Sequence, residues 1–312
     1  MSSLYILTPC RNASATLPYT LDSILSQTGN FQVYYHVQDG NSTDETRHIL
    51  VDYEKKIASN PVRYGHIHFS WVSEKDGGMY DAIQKAVDYL SIPPSALMGW
   101  INADDTFCDG AFTNILDATT RFPDLHWCGG IPLVIDEQGN ECHGRSDFTY
   151  PQELLSAGAC DGVHWRNIQQ EGTFWRKWLW DAAGGIDVNF RFAGDWDLWR
   201  RMAKHAPYIQ LSFFTAAFHR SKTQLSNGPN YNNEINAALS LESRRLALKK
   251  YTKDLHKKMI ETCYLDEGLL KFEYKKLSLS KKDKISIFIA SHGLYKMLKI
   301  CHKLNALIKK IR

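Results

Sequence analysis

Two adjacent carboxylates, Asp104 and Asp105, end a short apolar run from Ala96 to Ile101. A buried strand that stops in this way delivers acidic side chains to the carboxyl edge of a sheet, where open α/β folds bind their ligands. Adjacent carboxylates repel, so they need hydrogen-bond donors, solvent or a cation. A hard divalent ion that also grips substrate phosphates suits them. The same pair also fits a solvated turn, or a cap supplied by Asp104 to a helix starting near Asp109. Three other apolar runs end in polar clusters, at Thr8 to Asn12, Asp39 to Ser42 and Asp76 to Gly78. Four such clusters on one sheet edge would make a binding site.

The elements that must position these clusters alternate. Leu4 to Thr8 reads as a buried strand stopped by Pro9, and Leu17, Leu21, Ile24 and Leu25 recur at helical spacing. Phe31 to Val37 predicts a second strand, Thr43-Asp44-Glu45 the opening of a second helix, and Ile67 to Val72 a third strand. A helix through Ala82, Val87 and Leu90 follows, then the strand that leads into the acidic pair. This β-α-β-α rhythm predicts a parallel sheet with both faces covered. Further on, Trp127 to Ile135 and Glu141 to Phe148 read as a hairpin, and Pro151 to Ala159 and Phe174 to Ala183 as helices. Asp195 to His205 is expected to be helical and Tyr208 to Phe218 extended. Asn236 to Lys250 and Leu255 to Lys276 are also expected to be helical.

Composition narrows the class. A chain of 312 residues can bury one large core, with or without an appendage. Seven cysteines, with no CxxC pair and irregular spacing, argue for reduced thiols rather than a disulfide framework or a zinc site. Leu4 to Leu7 is too short for a signal-peptide core, and no apolar run approaches the ~18 residues of a membrane span. The net charge of +3 hides an asymmetry, because ten lysines, one arginine and one aspartate lie between Lys275 and Arg312. A mildly acidic body carries a basic tail.

Five stretches, in order, resemble the family 2 glycosyltransferases. They are ILTPCRNASATLPYTLDSILSQT (6–28), VQDGNSTDET (37–46), SEKDGGMYDAIQKAV (73–87), WINADDTF (100–107) and GGIDVNFRFAGDWDLWRRM (184–202). The resemblance covers roughly 1–225 and implies the GT-A fold: a Rossmann-like, mostly parallel α/β sheet flanked by helices. It implies a glycosyltransferase domain over 1–232, with 233–312 as a helical C-terminal extension. By the same resemblance Thr8, Pro9 and Asn12 line a nucleotide pocket, and Asp39 accepts a hydrogen bond from the base, as from uracil N3–H. Asp76, Gly77 and Gly78 contact nucleotide or sugar, and Asn102 and Asp104 belong to the donor site. Asp104 and Asp105 hold a divalent cation, Mg or Mn, and His219 either completes that site or is a strand-end histidine. Asp195 is the general base, although without the resemblance it reads rather as the N-cap of the 195–205 helix. Asp197, two residues on, points elsewhere and is structural.

The resemblance has departures. Asn102 stands where the family often has Asp, and Gly194 where many members have Glu. The Gln-x-x-Arg-Trp motif of processive synthases is missing, which implies addition of a single sugar. The expected activity is inverting transfer from a nucleotide-sugar, by default a UDP-sugar, to a glycan or lipid-linked acceptor in bacterial surface polysaccharide synthesis. The rivals are a nucleotidyltransferase, disfavoured because Thr8-Pro9-Cys10-Arg11-Asn12 lacks glycine, and a non-catalytic binding module. In the tail, Leu294, Leu298, Cys301, Leu304, Ile308 and Ile311 follow helical spacing among lysines. Such a helix suits an anionic membrane surface, or packing on the body or another subunit. The expected location is the cytoplasm or the inner face of the plasma membrane. No nucleic-acid motif accompanies the tail.

Overall fold

The computed structural model describes residues 2–143, 150–220, 229–253, 259–266 and 269–276. The first half runs β1 (Ser2–Cys10), α1 (Leu17–Leu25), β2 (Phe31–Asp39), α2 (Thr46–Ser59), α3 (Pro61–Tyr64), β3 (Ile67–Ser73), α4 (Met79–Leu90) and β4 (Leu97–Trp100). Next come β5 (Thr106–Phe107), α5 (Ala111–Arg121), β6 (Trp127–Gly129), β7 (Leu133–Ile135), β8 (Glu141–His143) and α6 (Gln152–Ser156). The chain continues with β9 (Thr173–Arg176), α7 (Lys177–Ala183), α8 (Gly194–Met202), β10 (Ile209–Gln210) and β11 (Ala216–His219). It closes with α9 (Asn230–Ala238), α10 (Leu241–Lys253), β12 (Met259–Asp266) and β13 (Leu269–Lys276).

Seven strands form the main sheet in the order β10-β6-β9-β4-β1-β2-β3. β1 pairs in parallel with β2 and β4, and β2 with β3, while β9 runs antiparallel between β4 and β6. The central strand shows why its sequence is continuously apolar. Leu4 and Ile6 enter one core with α1 and α5, and Tyr5 and Leu7 enter the other with α4, α7 and α8. Side chains alternate across a strand, so a strand covered on both faces has no polar positions to spare. The second core centres on Trp100, Trp127, Trp175 and Trp199, with Trp100 stacked on Trp199 at 5.6 Å and edge-on to Trp175 at 5.3 Å.

A second sheet, β5-β11-β7-β8, carries the acidic turn's far side. β5 leaves that turn directly and pairs antiparallel with β11, which brings His219 back to it. α1 fastens the turn from below. Thr20 Oγ1 donates to the Asp105 carbonyl at 2.8 Å, Ser23 Oγ accepts the Phe107 amide at 3.1 Å, and Gln27 Nε2 donates to the Cys108 carbonyl at 2.9 Å.

Several expectations need correction. Phe174 begins as strand β9, because Thr173, Phe174 and Trp175 are needed inside the sheet; the helix starts at Lys177. The 127–135 run divides between sheets: β6 joins the main one, and only β7 forms the hairpin with β8. The expected single helix from Asn236 breaks after Ala238, with Leu239 extended between α9 and α10. Leu255 to Lys276 is not helical over its described part; β12 and β13 pair antiparallel from Met259↔Lys276 to Asp266↔Leu269. Ile260, Thr262, Cys263, Tyr264, Phe272 and Tyr274 favour strands, and that preference outweighs the lysines and glutamates. The basic tail from 277 onward lies outside the described residues. No described helix is long and apolar enough to cross a membrane.

Candidate active site

The carboxyl ends of β1 and β4, the start of α4, the 166–171 segment, the start of α8 and the end of β11 surround one cavity of about 1070 Å³. That is ample for one ligand and leaves room for a second. Asn102 and Asp104 reach its wall from the acidic turn, and Asp195 and His219 from α8 and β11. Pro9, Asn12, Asp76 and Gly78 complete the set of expected residues that the fold brings together.

The loops are built to place them. Asn12 sits at φ 51°, and its Oδ1 accepts the Thr43 amide at 2.8 Å, tying the first loop to the second. Gly78 has φ 128°, a region closed to other residues, and its amide donates to Asp76 Oδ1 at 3.0 Å. Asp76 also needs a glycine opposite it, since a Cβ on Gly40 would meet Asp76 Oδ2 at 2.6 Å. Burial pushes the Asp76 carboxyl above its usual range.

Four expected residues stand elsewhere. Thr8 is fully buried and accepts the Tyr35 hydroxyl at 3.1 Å. Asp39 is also fully buried. Its carboxylate takes the Ser42 amide at 3.1 Å, the Ser42 hydroxyl, and the Ser73 hydroxyl at 2.5 Å. It therefore shapes the 40–44 turn and is not among the residues that line the cavity. Gly77 donates its amide to Asp81 Oδ2 at 2.8 Å and is not among the lining residues. Asp105 is the larger surprise. It has no exposed surface, and Oδ1 accepts the His219 amide at 2.8 Å. Of the adjacent pair, Asp104 faces the cavity and Asp105 holds β11 to the turn. Burial, then the neighbouring Glu171 and Asp104 charges, push the Asp105 carboxyl far up.

Asp195 is partly buried at the first turn of α8, and burial raises its carboxyl to about 6. The Tyr80 hydroxyl lies 3.5 Å from Asp195 Oδ1 and accepts the Asp195 amide at 3.4 Å. Gly194 permits this: a Cβ there would meet the Tyr80 ring at 2.7 Å, so a larger residue has no room while Tyr80 stays in place. Asp197 faces away, paired to Arg200 at 2.7 Å and Arg201 at 2.8 Å. The His219 ring reaches the cavity while its Nε2 pairs with Thr106 Oγ1 at 2.9 Å. Its desolvation lowers the imidazole, and the Asp104 charge opposes that.

Sequence reasoning missed Glu171 and Gln170. Both are buried on the cavity wall, and burial pushes the Glu171 carboxyl up. Gln170 Nε2 donates to the Trp100 carbonyl at 2.6 Å, leaving its Oε1 without a partner. Asn102 Oδ1 is likewise buried and unpartnered. Their signal was the polar run Asn167 to Gly172 between apolar neighbours.

No group of three or more His, Cys, Asp or Glu among the described residues forms a metal cage. The residues nevertheless fit an ion shared with a ligand. Asp104 and His219 line the cavity, Asn102 Oδ1 is a buried oxygen without a donor, and the carboxylates there repel one another. Mg²⁺ and Mn²⁺ are commonly held by one or two carboxylates, with phosphate oxygens and water supplying the rest.

Residues 5–190 match the family described as Glycosyl transferase family 2. A PGL/p-HBAD biosynthesis glycosyltransferase of Mycobacterium tuberculosis is 28% identical over 202 residues, covering 62% of this chain and 66% of that protein. The chain thus spans just under two thirds of that relative's length. Among solved structures, S. aureus TarS 1-349 in complex with UDP superposes with a TM-score of 0.55 at 14% identity, covering 82% of this chain and 69% of that one. The mannosyltransferase PcManGT from Pyrobaculum calidifontis, in complex with GDP-Man and Mn²⁺, gives 0.51 at 13% identity over 80% and 75%. The fold is that of the GT-A glycosyltransferases, and the chain belongs to glycosyl transferase family 2.

Proposed function

We propose that the protein is an inverting, non-processive glycosyltransferase. It takes one sugar from a nucleotide-sugar and passes it to a hydroxyl of a glycan or lipid-linked acceptor. The observation that carries this reading is a single cavity lined by both Asp104 and Asp195, the latter with its carboxyl raised to about 6. A base is most effective when its pKa lies near the working pH.

The acceptor hydroxyl attacks the anomeric carbon as the bond to the nucleoside diphosphate breaks. Asp195 takes the hydroxyl proton as the new C–O bond forms, and approach opposite the leaving group inverts the anomeric centre. A divalent cation held by Asp104, with His219 and Asn102 beside it, would neutralise the charge growing on the diphosphate. Asn102 and Gln170 line the cavity and each keeps a buried side-chain oxygen without a donor, which a small shift would offer to a hydroxyl of ribose or the transferred sugar. Asp39, on which the choice of uracil rests, is buried at the 40–44 turn, and the nucleotide base is identified by the donor panel below. The lysines between Lys275 and Arg312 support an acceptor at an anionic membrane surface.

The test is donor turnover. Purified protein is given UDP-, GDP- and dTDP-sugars with Mn²⁺, and the released sugar is followed by proton NMR. Release of the opposite anomer from one donor, lost in Asp195→Asn, supports the reading. Release with retained configuration contradicts inversion, and release of free nucleoside monophosphate contradicts the reaction class.

A further inference from the structure

Glu234 lies on α9, outside both the stretch that matches the family and the 1–232 region expected to contain the site. Its carboxylate collects three consecutive backbone amides. Arg191 donates to Oε1 at 2.8 Å, and Phe192 and Ala193 donate to Oε2 at 2.8 and 2.7 Å. Converging amides form an anion nest, and bonds to an ionised carboxylate are among the stronger ones in a protein. These three residues lead directly into α8. The Ala193 carbonyl accepts the Asp197 amide at 3.0 Å, so the clamp fixes the residue on which the helix begins. Tyr80 closes the same segment from α4, its hydroxyl 3.1 Å from the Phe192 carbonyl. On α9 itself, Tyr231 lies three residues before Glu234 and lines the cavity.

We propose that Glu234 is a positioning residue: it holds residues 191–193 in the one shape that aims Asp195 into the cavity. The inference rests on Asp195 being the base. It makes the helical region after 232 part of the working site. Without the clamp, three amides at the entrance to α8 lose their acceptor, and the segment bearing Asp195 loses its anchor on α9.

The charge of Glu234 also acts on Asp195. The ionisable groups around Asp195 are Tyr80 from α4, Glu171 from the 166–171 segment, and Tyr231 and Glu234 from α9. Burial is the main cause of the raised Asp195 carboxyl, and the Glu234 charge adds to it. Removing that charge while keeping an acceptor oxygen should therefore let Asp195 ionise at lower pH.

The experiment uses the full chain as wild type, Glu234→Gln and Glu234→Ala, with the Asp195→Asn protein as the inactive reference. Amide hydrogen exchange over 190–196 is measured beside kcat and donor KM across pH 4.5–8.5. In Glu234→Ala the 191–193 amides should exchange faster, and kcat should fall on the order of 10²-fold with donor KM little changed. Glu234→Gln can still accept from Phe192 and Ala193, so it should keep most of its exchange protection and kcat. Its acid limb should move to lower pH. A purely structural role would lower the folded fraction without moving that limb. Normal wild-type turnover with unchanged exchange in Glu234→Ala and an unmoved limb in Glu234→Gln overturns the inference alone. Folded wild-type protein that turns over no donor overturns the reading of function, and this inference with it.

Discussion

Asp195 is partly buried, and its carboxyl is raised to about 6 chiefly by lost solvation. Because its folded pKa lies above the unfolded value, its contribution to stability is complete below the unfolded pKa. That contribution is lost as pH rises through about 6. Asp195→Asn should therefore be more stable than wild type at pH 7.5, by on the order of 1–3 kcal/mol, and the gain should vanish below about pH 4. Thermal melts at the two pH values check this. Turnover should follow the opposite course, rising in wild type through pH 6 as the base ionises and staying flat and low in the variant. At this scale the sequence was informative about type and less so about facing. That Asp104 and Asp105 end a strand was legible. Which of them meets the cavity was not, because it depends on the His219 amide arriving from 114 positions further along. The surroundings of Asp39 were hidden for the same reason: Ser73, which donates to its carboxylate, is on another strand.

At the scale of elements, the β-α-β-α half was readable because β1 and β4 are buried almost throughout, and α1 and α4 each bury an apolar stripe. Leu21 on α1 is fully buried against β1 and α5, and Leu21→Ala should cost about 2–5 kcal/mol in urea unfolding. The junctions carry the function and were harder to see. Gly194 lets α4 and α8 meet, since a Cβ would sit 2.7 Å from the Tyr80 ring. Gly194→Ala should displace Tyr80 from Asp195 and lower kcat on the order of 10²-fold, while nucleotide affinity, measured by calorimetry, stays near wild type. Affinity lost in step with kcat would mean that the α4–α8 contact serves donor binding instead. Past Tyr208 the patterns weaken. The run from Met259 to Lys276 mixes strand-forming Ile, Thr, Tyr and Phe with helix-forming Leu, Lys and Glu, and pairing decided it for the hairpin.

For the whole molecule, most of α9 and all of α10 lie beyond the 1–232 region, and both make contacts with it. α10 is anchored by Arg244, buried and paired with Asp161, which also accepts His164 Nδ1 at 2.8 Å. Glu234 on α9 reaches the entrance of α8. No motif signalled either contact, because each joins residues that are ordinary alone and 41 or 83 positions apart. The basic tail makes its own prediction. Wild-type protein should sediment with vesicles containing anionic phospholipid and not with neutral ones. Lys296→Glu, Lys299→Glu and Lys303→Glu combined should weaken that binding on the order of 10²-fold, at about 1 kcal/mol per lysine removed. Equal binding to both vesicle types would instead favour a tail that packs on protein.

The measurement that bears most directly on the account is nucleotide-sugar binding, read from tryptophan fluorescence, because Trp100 lies on the cavity wall. Wild type and Asp104→Ala are titrated with UDP-, GDP- and dTDP-sugars, in Mn²⁺ and in EDTA. The account predicts saturable quenching or enhancement by one nucleotide class, weakened by EDTA and in Asp104→Ala. Folded protein that binds no nucleotide-sugar in either condition would contradict it.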